Sequence, residues 1–221
     1  MASASPPVRV VVRPIGTPLP LGFLGLLLAT TAFAALQLQW VPADQGRAVA
    51  LGVLASTVPM QLLASVLGFL ARDPVAGTGM GVLAGTWGAV ALTTLTSPPG
   101  AVSAGLGVLL LAAGVAMLVP AAAATTKLVA AAIMALAGVR FALTGVAELT
   151  GERTWFTAAA IVGLVLAALA LYGSFGFELE DVRHRTVLPL GRRGAGQVAL
   201  TGSADDELSA VAHEAGVRRQ L

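Results

Sequence analysis

Residues 74–126 read PVAGTGMGVLAGTWGAVALTTLTSPPGAVSAGLGVLLLAAGVAMLVPAAAATT, 53 positions without an Asp, Glu, Lys or Arg. A helix crosses the hydrocarbon core of a bilayer in about 20 residues. The run therefore has length for two crossings. At its centre stands Ser97-Pro98-Pro99-Gly100. Neither proline offers an N–H, and each ring clashes with the preceding turn of a helix, so this tetrapeptide is a turn between two spans. Working outward, residues 14–43, 48–71 and 154–177 are also free of charge, and each is long enough for one span. Between Lys127 and Glu148 lies a sixth apolar stretch, interrupted only by Arg140. The expected fold is all-α: a polytopic integral membrane protein with six transmembrane helices near 21–40, 48–71, 77–96, 101–123, 128–150 and 155–177.

Composition excludes the competing classes. Apolar residues make up 57% of the 221 and charged residues 11%, against about 25% charged in soluble domains. So little charge cannot cover a water-facing surface, and so much apolar residue excludes disorder. A transmembrane barrel would alternate polar and apolar in strands of about 10 residues, whereas these runs are continuous. The first run is too long for a cleavable leader and flows into the next span. The absence of cysteine excludes disulfides, thiolate zinc sites and cysteine nucleophiles. His184 and His213 fall outside the spans, and no paired carboxylates, HExxH or GxSxG occur. Neither an enzyme nor a cofactor or metal site is expected.

Basic residues favour the cytoplasmic side. With both termini inside, the inner segments hold Arg9, Arg13, Arg72, Lys127, Arg183, Arg185, Arg192, Arg193, Arg218 and Arg219. The outer loops hold only Arg47 and Arg153. That asymmetry accounts for the basic charge balance, so no nucleic-acid partner is expected. The chain divides into a cytoplasmic segment 1–13, a membrane domain 14–178 and a cytoplasmic tail 179–221. Within the tail, Ser203-Ala-Asp-Asp-Glu has the pattern of a helix start, and a short amphipathic helix at about 203–219 is expected, a plain solvated tail being the other reading. Small residues crowd the third and fifth spans, and Gly81-x-x-x-Gly85 has the spacing of a close helix contact.

Polar features inside the spans are few. The approach to the first span is Thr17-Pro18-Leu19-Pro20-Leu21-Gly22. Two prolines so close are expected to hold the chain extended, with the helix starting near Pro20. Free amides followed by a helix N-terminus suit an anion; an ordinary helix start is the other reading. Gln61 in the second span either bonds between helices or faces a pore.

At these residues the sequence resembles a family. Thr17-Pro-Leu-Pro-Leu-Gly-Phe is similar to the Asn-Pro-Ala-Pro-Leu-Gly-Leu signature of the acetate uptake transporter family, also called the Gpr/Fun/YaaH family and typified by succinate–acetate permeases. Arg185-Thr-Val-Leu-Pro-Leu-Gly191 is similar to that family's Arg-Thr-Val-Leu-Pro-Ile-Gly. Gln61, Gly77-Thr78, Thr86-Trp87-Gly88, Gly163-Leu164 and Tyr172 align between them. The likeness spans about residues 15–191. It implies a multi-pass plasma-membrane transporter or anion channel for small carboxylates such as acetate and succinate, coupled to protons or by channel-like flow, and hexameric. It also implies a hydrophobic constriction, which falls by position on Leu26, Trp87 and Leu136. Two of these depart from the family's residues, Leu26 replacing Phe and Trp87 replacing Tyr. Thr17 replaces the family's Asn, and Gly68 stands where the family has Glu.

Arg140 is not part of that likeness, since the family position is apolar. A lone Arg near mid-span costs about 3 kcal/mol or more, so it is expected to face a cavity or a partner. It follows Leu136 by one helical turn, which places it just outside the constriction, with Thr144 extending the face. The substrate-binding residues are thus expected to be Thr17, Pro18, Pro20, Leu21, Gly22, Gln61 and Arg140. The competing role for Arg140 is a structural pair with Glu148 or with a backbone carbonyl at a subunit interface. Two wider alternatives are the same fold carrying a different small solute, and a membrane sensor or scaffold that transports nothing.

Overall fold

A computed structural model describes residues 15–194 and 196–197. Residues 1–13 and the amphipathic helix expected at 203–219 lie outside them. The described chain is helical, and six helical segments are long and apolar enough to cross a membrane. They are Leu19–Gln37, Ala43–Leu70, Pro74–Thr96, Ala104–Thr126, Leu128–Thr150 and Arg153–Arg183. The all-α, six-span reading therefore holds.

Two spans are broken by proline. The second consists of α2 (Gly46–Ala55) and α3 (Thr57–Leu70), with Ser56 between them at φ −112°, ψ −67°. Pro59 lacks the N–H that the carbonyl of Ala55 would accept, so the ladder cannot run through. Ser56 Oγ bonds back to Gly52 O at 2.7 Å. The fourth span repeats the device: α5 (Ala104–Ala116) gives way at Met117 to α6 (Leu118–Ala123), three residues before Pro120. The unbroken spans are α1 (Leu19–Gln37), α4 (Pro74–Thr96), α7 (Leu128–Thr150) and α8 (Arg153–Arg183).

Helices pair as α1 with α8, α3 with α4, and α5 with α7. α5 and α7 approach closely at two levels. A Cβ added at Gly107 would lie 2.9 Å from Gly145 O, and one at Gly114 would lie 2.9 Å from Gly138 O. Backbones this close leave no room for side chains, the usual basis of association in lipid. Gly81 and Gly85 contribute less than their spacing suggests: Gly81 faces Ser65 Oγ, and nothing lies within 4 Å of a Cβ at Gly85.

The sixth helix passes residue 177, where its apolar run stops, and continues to Arg183. The chain then folds back so that Leu190 is fully buried. The carbonyls of Gly191 and Leu190 accept the N–H groups of Leu128 and Val129, each at 3.2 Å. These are first-turn amides of α7, which have no partner within the helix. Glu180, 2% exposed, anchors the return by an ion pair with Arg192 at 2.6 Å. The Arg192 guanidinium lies 5.6 Å above the Phe177 ring. The motif at 185–191 thus closes one end of the bundle by capping α7.

Candidate functional site

Arg140 lies twelve residues into α7, about 18 Å along its axis, and is 1% exposed. Its guanidinium rests on α8 where Gly163 has no side chain: a Cβ there would overlap Nη1. Its other face lies over Trp87 of α4, 5.4 Å from the ring centroid. Trp87 in turn packs on Phe33 of α1 at 5.6 Å and edge-on to Phe141 of α7 at 5.7 Å. Four helices thus meet around one cation and three rings. The cation–π contact returns about 0.5–2 kcal/mol of what burying the charge costs.

A cavity of about 90 Å³ adjoins this cluster. Phe33, Trp87, Phe141 and Phe156 form its apolar walls; Gln37, Thr94, Arg140, Thr144 and Glu148 supply its polar groups. A second cavity of about 60 Å³ shares Thr94, Leu106 and Glu148 with the first and reaches Arg47 and the Ser97–Gly100 turn. The two cavities thus lie on either side of the same residues, the second towards the loop end of the bundle. Glu148 accepts the Ser103 N–H at 2.7 Å and makes no ion pair with Arg140 among the described residues. Within the protomer, then, Arg140 borders a cavity and does not form the structural pair with Glu148.

Three polar atoms on this cavity's residues are buried without a hydrogen-bond partner: Arg140 Nη1, Trp87 Nε1 and Gln37 Oε1. They are three of five such atoms among the described residues, so the deficit is concentrated in one place. Since amide oxygen and nitrogen are interchangeable by a flip, Gln37 can also present a donor.

The other expected site residues gather elsewhere. At the first span the extended approach is not seen: Pro18 has φ −80°, ψ −13°, and α1 begins at Leu19 with Pro20 in its first turn. The first turn tolerates proline because its N–H groups lack helical partners anyway. The same prolines remove donors from any anion site there. Pro18, Pro20 and Gly22 are buried, Thr17 and Leu21 half-buried. Gln61 is fully buried and donates from Nε2 to Gly22 O at 3.4 Å, tying α3 to α1. Thr57 does the same at Gly25 O, at 3.0 Å. Leu26 is fully buried in the core and Leu136 half-buried beside it; neither lines the cavity next to Trp87. The bundle therefore brings Arg140 and Trp87 together and leaves the Thr17–Gly22 segment with Gln61 at another level. Sequence reading missed Phe33, Gln37, Phe141 and Phe156. One signal was present: Phe33 and Gln37 stand four apart on α1, as do Arg140, Thr144 and Glu148 on α7, which puts each set on one face.

Gly163→Ala tests whether the guanidinium's position matters. Arg140 has no room to keep its place, so the effect on solute binding is expected to approach that of removing Arg140. Isothermal titration beside Arg140→Met would check this.

No family model matches the chain, and no curated protein matches it. Among solved structures, the bacterial acetate channel SatP matches with a TM-score of 0.68 and 24% sequence identity. The match covers 80% of this chain and 99% of that one. Six spans, two of them broken by proline, and the end-capping return at 185–191 thus belong to a chain with the fold of that channel.

Proposed function

We propose that this protein is a multi-pass membrane transporter or channel for small carboxylates of the acetate class. The observation that carries the reading is the lone guanidinium of Arg140, buried at mid-span beside a cavity with both aromatic and polar walls. A fixed cation at that depth attracts anions and repels cations. The shared fold with an acetate channel supports the same reading. Trp87, with Phe33 and Phe141 around it, is the proposed constriction. Leu26 and Leu136 would line the path on its other side, and Thr17–Gly22 with Gln61 would form its inner end. Both termini are proposed to be cytoplasmic, the membrane to be the plasma membrane and the assembly a homo-hexamer.

Uptake of labelled acetate into liposomes holding the purified protein tests this, with empty liposomes as control. Saturable uptake is expected. Stimulation by an inward proton gradient would identify symport, and indifference to the gradient a channel. Entry no faster than into empty liposomes would overturn the carboxylate reading.

A further inference from the structure

Glu148 lines both cavities, and among the described residues it is the one acid on either wall. Thr94 and Leu106 are the other residues common to the two, so these three side chains stand between them. Arg47 of α2 lines only the cavity towards the loop end, and Arg140 only the one beside Trp87. Arg140 lies eight residues from Glu148 along α7, about 12 Å. One carboxylate thus separates two cations, and among the described residues it forms an ion pair with neither. Arg47 is exposed. The described walls supplied by α1, α4, α5 and α8 carry no titratable group. Glu152 and Arg153, at the turn into α8, are exposed and line neither cavity. Glu148 does have a partner in the Ser103 N–H at 2.7 Å, a charge-assisted bond that fixes the carboxylate at the partition.

We propose that Glu148 is a proton-controlled barrier to anions: ionised, it repels a carboxylate moving from one cavity to the other, and protonated, it lets the carboxylate pass. The inference rests on the reading of the chain as a carboxylate conduit. Its physical basis is the order of charges. An anion moving from the side of Arg47 to the side of Arg140 passes a like charge that no cation neutralises. Glu148 is half-buried, and like charges repel more strongly there than in open water, where solvent and salt screen them. A proton taken from water by the carboxylate removes that repulsion and leaves the attraction of the flanking arginines. The sign follows: anion flux rises as pH falls, because the protonated fraction of Glu148 rises. The controlling quantity is the pH at Glu148 itself, so the effect persists when the two sides of the membrane are at equal pH.

The test compares the full-length parent protein with Glu148→Gln in liposomes. Entry of labelled acetate is followed at equal inner and outer pH, from about pH 8 to about pH 5, where a carboxylic acid of ordinary pKa is chiefly ionised. Glutamine has nearly the same shape, can still accept the Ser103 N–H through its amide oxygen, and is uncharged at every pH. Empty liposomes give the leak through lipid, and the variant-to-parent ratio cancels the titration of acetate itself. At about pH 8 Glu148→Gln is expected to carry acetate about tenfold faster than the parent, and the ratio is expected to fall towards one as the pH is lowered. Glu148→Ala is also uncharged and is expected to behave likewise, which covers the case in which Glu148→Gln does not fold. Glu148→Asp keeps the charge and is expected to keep the parent's pH profile, which a purely structural role would not require. Uncharged variants that match the parent at every pH overturn the barrier and leave the transport reading standing. Uncharged variants slower than the parent at about pH 8 overturn it too, since the charge would then assist the anion. If neither the parent nor any variant carries acetate at any pH, the barrier and the transport reading fall together.

Discussion

Charge reversal at Arg140 is expected to reduce saturable acetate uptake by about a hundredfold or more. A hydrogen bond to a charged group contributes about 1.5–3 kcal/mol, and each 1.4 kcal/mol is tenfold in affinity. Arg140→Glu removes that contribution and sets a like charge in the path. Its readout is the initial rate of labelled acetate entry into liposomes at matched protein content. A carboxylate buried in place of the guanidinium also strains the fold, so Arg140→Lys accompanies it. That variant keeps the cation and is expected to retain measurable uptake. Flux equal to that of the parent protein in Arg140→Glu would sink the pore role. The guanidinium would then be a buried structural group held by Trp87 and Gly163.

The second large effect is expected at Trp87. Its ring is in contact with Phe33, Phe141 and the guanidinium, and it is 2% exposed. Trp87→Ala deletes the centre of the aromatic cluster and joins the space it filled to the cavity beside it. In a core, such a deletion costs about 3–5 kcal/mol. If Trp87 closes the path, the folded variant should conduct several times faster, lose saturation and admit a neutral solute such as urea. The neutral solute is the deciding readout. A lowered Tm with parent-like rates and no urea entry would mark Trp87 as packing alone.

The position of Gly163 shows how such a site escapes a reading along the chain. Nothing about a glycine in an apolar helix marks it as the bed for an arginine 23 positions away. The relation exists only because α7 and α8 pack at a register that sets Arg140 against that missing side chain. Phe33 and Phe141 are ordinary apolar residues in their own helices, and become a cluster only when α1, α4 and α7 converge on Trp87. The breaks at Ser56 and Met117 were readable in principle, since Pro59 and Pro120 stand in the sequence. The end of the sixth helix was not, because acids after residue 177 stop a membrane run but do not stop a helix.

By itself the sequence determined the six spans, because a bilayer penalises every charge and every unsatisfied backbone group locally. Where Asp, Glu, Lys and Arg are missing for about 20 residues, a helix must cross. It also determined that Arg140 would be exceptional, because a mid-span cation is costly wherever it faces. What only the tertiary structure decided is what Arg140 faces. Its surroundings of one indole, one bare glycine and a cavity come from four helices whose relative registers are set by side-chain packing across the bundle, and no local pattern encodes that.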